Sequence, residues 1–185
     1  MAPWESVAPI RTARLELVAL TAPFVAAVVA AERAAASAEL AARVGRWLLS
    51  DSSHVVQLHV AGRAAETEGF PGLGRAIVLT EREEARRVIG TIGFHGPPDE
   101  RGRLEVSCRI HPAHRSQGYA AEALGALLDW ATARYGVTRF LVALPSRREP
   151  PRRAPFEIAA RPTDSMDHQI EHIAYLLESR PRAST

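Results

Sequence analysis

A glycine-bearing loop, preceded by a predicted strand and followed by a predicted helix, sharply limits the folds open to this chain. The loop reads Arg115-Ser116-Gln117-Gly118-Tyr119-Ala120. From Arg103 to Ile110 apolar and polar residues alternate, which is typical of a half-buried strand. His111-Pro112 then ends the strand, because proline has no N–H to donate to a ladder. We therefore expect the loop to lie where a sheet ends and a helix begins.

The residues after the loop repeat at helical spacing. One face of the predicted helix carries Leu124, Leu127, Leu128 and Ala131. This spacing predicts a helix from Gln117 to Tyr135. The free N–H groups of its first turn and the positive end of its dipole suit a phosphate, and Gly118 lets the backbone approach a ligand closely. The six loop residues alone also fit an ordinary strand–loop–helix connection with an exposed arginine.

The rest of the chain predicts an α/β (α+β) fold with one mixed, mostly antiparallel sheet flanked by helices. The predicted strands are Arg14–Leu20, Arg75–Thr80, Arg87–His95, Arg103–Ile110, Arg139–Leu144 and Ile170–Leu177. The predicted helices are Ala22–Ser37, Glu39–Leu49, Ser52–Glu66 and Gln117–Tyr135, with Thr21 as N-cap of the first. Polar turns join the middle three strands into an antiparallel meander. The strand–helix–strand unit that contains the loop predicts a right-handed parallel crossover.

Composition narrows the class of protein. The 185 residues suit a single domain, which we place at residues 11–180 between tails at 1–10 and 181–185. No apolar run reaches the ~18 residues of a membrane helix, and no signal peptide is evident, so we expect a cytoplasmic protein without a membrane partner. A net charge of +2 without aromatic interleaving argues against a nucleic-acid partner.

Residue types that are missing or rare exclude several chemistries. All 23 basic residues are arginine, which removes a lysine nucleophile and a P-loop lysine. The single cysteine, Cys108, rules out an internal disulfide, and its position in the strand predicts a buried, inert thiol. The pairs His111/His114 and His168/His172 have no evident third partner, so no metal site is predicted.

The stretch from Val88 to Leu124, together with Thr12-Ala13-Arg14-Leu15-Glu16-Leu17, closely resembles the GNAT superfamily of N-acetyltransferases. The branch it resembles includes the ribosomal-protein N-terminal (alanine/serine) acetyltransferases. The resemblance is good over residues 11–20 and about 74–144. It implies an acetyltransferase that uses acetyl-CoA as co-substrate and acetylates a primary amine, on a protein N-terminus, an amino acid or a small molecule.

The resemblance also implies roles for particular residues. Glu105 corresponds to a glutamate that takes the proton of the amine, although a solvated glutamate on a strand face is the alternative. The backbone N–H near Arg109 or Ile110 is the implied oxyanion donor, and this strand end is the implied partner of the pantetheine amides. The implied pyrophosphate-binding residues are Arg115, Ser116, Gln117, Gly118, Tyr119 and Ala120.

The sequence departs from the family pattern after Leu144. The relatives' N-E-P-S motif is replaced by Arg148-Glu149-Pro150-Pro151, and the chain contains no asparagine. Pro155 falls where a helix interior is expected, at a cost of ~3 kcal/mol, so we expect residues 148–160 to form a short or broken helix or a loop. Tyr119 and Tyr175 are the candidate acids for the leaving thiolate. A catalytically impaired acyl-CoA-binding module is the alternative function, and the oligomeric state is left open, with a homodimer among the alternatives.

Overall fold

One mixed sheet supports the other elements of the computed structural model, which describes residues 7–66, 68–70, 73–80, 86–145, 156–163 and 172–179. Among these residues the sheet has eight strands in the order β1-β2-β3-β4-β5-β6-β8-β7. The strands are β1 Ile10–Arg11, β2 Leu15–Ala19, β3 Gly74–Leu79, β4 Arg87–Phe94, β5 Arg103–Ile110, β6 Arg139–Pro145, β7 Phe156–Thr163 and β8 His172–Ser179. All neighbours are antiparallel except β5 and β6, which run parallel.

Helices cover both faces of the sheet. They are α1 Ala22–Val29, α2 Arg33–Glu39, α3 Arg46–Ser50, α4 Ser53–Glu66 and α5 Tyr119–Tyr135, with a 3-10 turn at Pro112–His114. In the described part of the chain, none of them has the length and apolarity needed to cross a membrane.

The sheet separates two apolar cores. On one face, α5 packs Leu124, Leu127 and Leu128 against strand residues that include Leu104 and Val106. On the other face, α1 to α4 pack a second set of apolar residues onto the sheet. This set includes Phe24, Leu48, Leu58, Ala76 and Val78. Strand β5 therefore lies between α5 and α4, and its alternating side chains face different environments.

The predicted meander and the parallel crossover are both confirmed. Strands β3, β4 and β5 pair in sequence, and α5 connects β5 to the parallel strand β6. The predicted bounds of β5 agree with the structure at both ends. Residue 10, which we had placed in the tail, belongs to the short strand β1 and pairs with Leu17.

The two predicted alanine-rich helices are wrong in their extent. The first is interrupted at Ala31, which has a φ of 58°, so that α1 and α2 are separate helices. The second, predicted over 39–49, is helical only from Arg46, and Ala41 before it has a φ of 45°. Alanine favours helix intrinsically, but here docking onto the sheet overrides that weak preference. Thr21 does cap α1, accepting a hydrogen bond from Phe24 N at 3.2 Å.

The prediction for the segment after Leu144 needs a correction as well. Residues 156–160, which we expected in a broken helix or a loop, lie in β7 at the edge of the sheet. The proline-rich stretch 146–155 lies outside the described residues. The predicted closing strand is present as β8, which inserts between β6 and β7 instead of ending the sheet.

We predict that Gly93→Ala destabilises the fold by about 2 kcal/mol through overpacking. A Cβ at this position of β4 would lie 2.6 Å from Leu73 O and 2.8 Å from Gly74 Cα, and backbone atoms cannot move aside easily. Gly125→Ala in α5 is the matched control, because a Cβ there meets nothing within 4 Å and alanine favours helix by about 1 kcal/mol. Urea unfolding of both variants should show changes of opposite sign, and equal changes would contradict the packing argument.

Candidate active site

Strands β5 and β6 are paired over only half of β5. The parallel pairing runs from Arg103–Arg139 to Val106–Val142 and stops there. Strand β5 continues to Ile110 and β6 to Pro145. The two strands therefore diverge beyond Val106, and a gap opens inside the sheet between its paired parts.

The alternation of the β4–β5 ladder shows which backbone groups line this gap. His95 N donates to Glu105 O at 2.9 Å, and His111 N donates to Ile89 O at 2.8 Å. Odd-numbered β5 residues thus bond to β4, and even-numbered residues direct their N–H and C=O groups toward β6. Beyond Val106, the backbone of Cys108 and the N–H of Ile110 face the gap without a strand partner. The backbone groups of Arg109 face β4.

The loop after β5 exposes backbone N–H groups. Ser116 and Gly118 both have positive φ, at 61° and 83°, which turns the chain into α5. The first helical hydrogen bond runs from Glu122 N to Gly118 O at 3.0 Å. Among the described residues, the N–H groups of Ser116, Gln117, Gly118 and Ala120 have no acceptor. This is a backbone cradle of the kind that binds phosphate at a helix N-terminus.

Side chains of the loop support its shape. Arg115 Nε donates to Ile110 O at 2.9 Å, which ties the loop to the end of β5. Gln117 Nε2 donates to Ala113 O at 3.3 Å across the turn. Tyr119 is 4% exposed and its ring lies under the guanidinium of Arg14, with Cζ 4.5 Å from the ring centroid. Of the predicted loop residues, Tyr119 is thus the one whose side chain is packed inside.

Glu122 links the loop to the start of the chain, a contact that the sequence reasoning missed. Its carboxylate accepts hydrogen bonds from Thr12 Oγ1 at 2.6 Å, from Arg14 N at 3.0 Å and from Arg14 Nε at 2.7 Å. Arg14 Nη1 also donates to Gln117 O at 3.1 Å. Burial acts to raise the pKa of Glu122, but these hydrogen bonds outweigh it and lower the pKa. The short Thr12-to-Leu17 motif was the signal, although nothing in the sequence named its partner.

Glu105 lies at the closed end of the gap. It is exposed, and its carboxylate has no hydrogen bond or ion pair among the described residues. Its neighbours on β5, Leu104 and Val106, are fully buried on the α5 side, so the Glu105 side chain is on the α4 side. The predicted base therefore has a carboxylate without a partner among the described residues, and it is adjacent to the last β5–β6 pair.

A polar network that the sequence did not reveal occupies the same face of β5. Ser107 Oγ lies 2.8 Å from His54 Nε2 and 2.7 Å from His95 Nε2. His54 Nδ1 lies 2.6 Å from Thr91 Oγ1, and Thr91 is fully buried. These residues come from α4, β4, the end of β4 and β5, and no spacing in the sequence connects them.

Burial sets the ionisation of two groups near the site. Burial, reinforced by electrostatic interaction with the neighbouring His95 and Arg109 side chains, lowers the pKa of His54 from 6.5 to about 4, so its imidazole is neutral at neutral pH. Cys108 keeps some exposed surface as a residue, yet burial of its thiol raises the pKa to about 12. A thiol with such a pKa is protonated and is a poor nucleophile.

Beside the network, Arg109 Nη2 pairs with Asp51 Oδ2 at 2.5 Å. Hydrogen bonds from Ser53 and from Arg109 lower the pKa of Asp51. In the described ranges no group of three or more His, Cys, Asp or Glu side chains could hold a metal ion. The ring centroids of His111 and His114 are 6.0 Å apart, and the two rings lie in a row with those of Trp47 and Tyr119, each tilted against the next.

A strand that splays from its parallel neighbour, followed by a helix N-terminus without a side-chain cap, lies in the stretch that carries the sequence resemblance. Residues 14–152, well over half of the chain, match the family described as the acetyltransferase (GNAT) domain. The chain belongs to this family. The match includes β5, the loop and α5, which carry the candidate site.

Individual relatives agree with the family assignment. The chain is 30% identical over 95 residues to the uncharacterized N-acetyltransferase YjdG of Bacillus subtilis (strain 168), over 51% of this chain and 55% of that protein. The chain thus spans about half the length of this curated relative.

Solved acetyltransferase structures share the fold at low identity. The acetyltransferase from Agrobacterium tumefaciens str. C58 has a TM-score of 0.52 at 20% identity, covering 95% of this chain and 97% of that one. RimL, a ribosomal L7/L12 alpha-N-protein acetyltransferase solved in complex with coenzyme A, has a TM-score of 0.53 at 13% identity, covering 93% and 97%. At these identities the likeness concerns the fold.

We predict that His54 makes the fold less stable as the pH falls from 6.5 to about 4. In that window the unfolded chain binds a proton that the folded protein does not bind, so the unfolded state is stabilised relative to the folded one. The shift corresponds to a loss on the order of 3 kcal/mol. Urea unfolding across the window should show a shallower decline for His54→Gln. His59→Gln, on the same helix but outside the network, should retain the wild-type decline, and identical slopes for both variants would contradict the prediction.

Proposed function

We propose that this protein is an acetyl-CoA-dependent N-acetyltransferase that acts on a primary amine. The observation that carries the proposal is the set of backbone N–H groups of Ser116, Gln117, Gly118 and Ala120, which have no acceptor among the described residues. Amides left without partners in a tight loop at a helix N-terminus suit a diphosphate. Arg115 adds a positive charge beside them.

The gap suits the arm that joins the diphosphate to the thioester. From Ile110 to Val106 the edge of β5 extends about 13 Å, with the backbone groups of Cys108 directed into the gap. An extended chain with amide groups can pair with this edge as an added strand would. Its reactive end then lies near Glu105, where the two strands close.

Acetyl-CoA supplies an activated acyl group, and the residues of this chain prepare the amine and stabilise the developing charge. An α-amine with a pKa near 8 must lose its proton before it can attack, which costs about one pKa unit at neutral pH, whereas a lysine-like amine at about 10.4 costs roughly three. We assign Glu105 as the base that takes this proton. We assign the oxyanion donor to Ile110 N–H, since the backbone of Arg109 faces β4.

We assign no proton donor to the leaving thiolate, and Tyr175 stays an untested candidate. Tyr119 is packed beneath Arg14, which supports a structural role. Tyr175 pairs with Val142 in the β6–β8 ladder, and its side chain lies outside the description. A thiolate is a good enough leaving group to depart without an assigned proton donor.

The acceptor is proposed from the neighbours and from the amine chemistry. RimL acts on a protein α-amine by its description, and the α-amine is also the easier amine to deprotonate. We therefore infer that a protein or peptide N-terminus is the first acceptor to test. A single domain over residues 11–180, a cytoplasmic location and a homodimer stay predictions of this proposal.

A non-catalytic acyl-CoA-binding module is the second candidate. The observation that favours it is the lost N-E-P-S motif, replaced by Arg148-Glu149-Pro150-Pro151. It predicts acetyl-CoA binding without release of free thiol in the presence of peptides that begin with serine or alanine, free amino acids or small diamines. Thiol release with any of these acceptors would dismiss it.

We predict that Gly118→Ala weakens acetyl-CoA binding about tenfold in isothermal titration calorimetry. Gly118 has a φ of 83°, where a side chain costs about 1–2 kcal/mol, so the loop must shift its N–H groups. Gly136→Ala is the matched control, because Gly136 has a φ of 69° at the other end of α5. It should lose similar stability and keep wild-type affinity. No heat of binding by the folded wild-type protein would refute the cradle itself.

We predict that Glu105→Gln lowers the turnover of acetyl-CoA with a peptide acceptor by about 10²-fold or more, the usual contribution of a general base. Acetyl-CoA affinity should stay unchanged, because the Glu105 side chain points away from the loop. Thiol release under single-turnover conditions separates the two effects. Glu100→Gln, an exposed residue in the preceding turn, should have no effect. If Glu105→Gln keeps wild-type turnover, Glu105 is not the base.

A further inference from the structure

A continuous row of hydrogen-bonding side chains runs from Thr91 through His54 and Ser107 to His95. The roles proposed above do not use this row. It joins α4 to β4 and β5 on the face that carries Glu105. Thr91 is fully buried and the other three residues are half-buried, and a polar group that is withdrawn from water must be hydrogen-bonded to avoid a large cost. Packing alone therefore does not explain why polar side chains from α4, β4 and β5 meet at this place.

Hydrogen counting shows which nitrogen of His95 is left to react. A serine hydroxyl donates one hydrogen, yet Ser107 Oγ contacts two imidazole Nε2 atoms. At least one imidazole must therefore donate to Ser107, and the other either accepts the serine hydrogen or donates to the second lone pair of Oγ. In either direction His95 Nε2 is engaged. His95 Nδ1 has no partner among the described residues, and it carries a lone pair when Nε2 holds the hydrogen.

His95 lies directly opposite Glu105. The hydrogen bond from His95 N to Glu105 O continues the β4–β5 ladder by one pair. Directly opposed residues of an antiparallel pair have Cβ atoms about 5 Å apart on the same face. Two proton-accepting side chains thus lie side by side at the closed end of the gap.

Of the two histidines in the row, the surroundings favour His95 over His54 as an acceptor of a proton. Among the described residues, the charged and titratable groups near His95 on this face include Asp51 just before α4, His54 from α4, and Glu105 and Arg109 from β5. Asp51 and Arg109 neutralise each other in an ion pair. His54 is buried deeply enough to stay neutral. His54 can therefore hydrogen-bond to Ser107, but its lowered pKa makes it a weak proton acceptor.

Amide formation from an ammonium group requires two proton removals. R–NH3⁺ must lose one proton before its nitrogen attacks the thioester carbonyl. After the C–N bond forms, the nitrogen is positively charged again and must lose a second proton, while the C–S bond breaks and the thiolate departs. One proton ends on the thiolate and the other in solvent. A site with two adjacent acceptors matches this requirement.

We propose that His95 is a second catalytic base of the acetyl transfer, taking at Nδ1 the proton that the amine nitrogen loses after attack, and that Ser107 and His54 are positioning residues that fix its imidazole. This inference rests on the proposed transferase function. Glu105 removes the first proton, His95 the second, and His95 then releases its proton to the thiolate or to water. The acceptor class that fits is a protonated primary amine.

The test measures the activity of His95→Gln, His95→Ala and His59→Gln. The substrates are acetyl-CoA and a short peptide with a free N-terminal serine, or whichever of the peptides, amino acids and diamines named above the wild type acetylates. His95→Gln should lower kcat/KM by about 10²-fold and leave the acetyl-CoA Kd unchanged. Added imidazole should restore much of the activity of His95→Ala, because free imidazole can occupy the vacated space. His59→Gln should match the wild type.

A second measurement separates chemistry from structure. Ser107→Ala should change the pH profile of kcat/KM, because His95 loses the partner that holds its Nε2. The nitrogen chemical shifts of the His95 ring should report the loss of that hydrogen bond. An unchanged profile together with unchanged shifts would overturn the positioning role of Ser107.

The outcomes distinguish this inference from the proposed function. If the wild type binds acetyl-CoA but acetylates no acceptor, the transferase function fails and the inference falls with it. If the wild type is active and His95→Gln stays within about threefold of it, well short of a general-base effect, the second base is refuted alone. Loss of activity in a folded His95→Ala variant that imidazole does not restore would also refute it.

Discussion

The divergence of β5 from β6 beyond Val106 is the feature on which the rest of the site depends. A closed parallel ladder would satisfy the backbone of Cys108 and the N–H of Ile110 within the sheet. Because the strands separate, those groups become a binding edge inside a sheet that is otherwise paired. The crossover helix then begins at the open end of the gap, so the edge and the cradle share one entrance.

Two sets of contacts keep the cradle in place. Arg115 bonds to the carbonyl of Ile110 and fixes the loop to the strand before it. Glu122 accepts hydrogen bonds from Thr12 and Arg14, which fix the first turn of α5 to the β1–β2 hairpin near the start of the sequence. Charge-assisted hydrogen bonds of this kind are stronger than neutral ones. A loop with several unpartnered N–H groups is thereby held rigid without using those groups.

Strand β5 also separates two kinds of chemistry. Its apolar side chains face α5 and join a hydrophobic core, while Glu105, Ser107 and Arg109 face α4. The α4 side is polar at the point where the gap closes, and the two histidines there share hydrogen bonds with one serine hydroxyl. In the proposed function, the diphosphate and the pantetheine therefore contact backbone groups of the loop and of β5. The proposed proton transfers involve side chains on the α4 side of the sheet.

The sequence by itself determined the strand–loop–helix unit, the meander and the parallel crossover, because each depends on local periodicity and on turn residues near in the chain. Through family resemblance it also suggested roles for Glu105 and the loop residues, and these roles stay predictions. The tertiary structure decided the break of the alanine-rich helices at Ala31 and Ala41, since docking onto a sheet outweighs helix propensity. It alone brought Glu122 to Arg14 and His54 to His95, because such contacts join residues far apart in sequence and follow from packing, for which no local pattern exists.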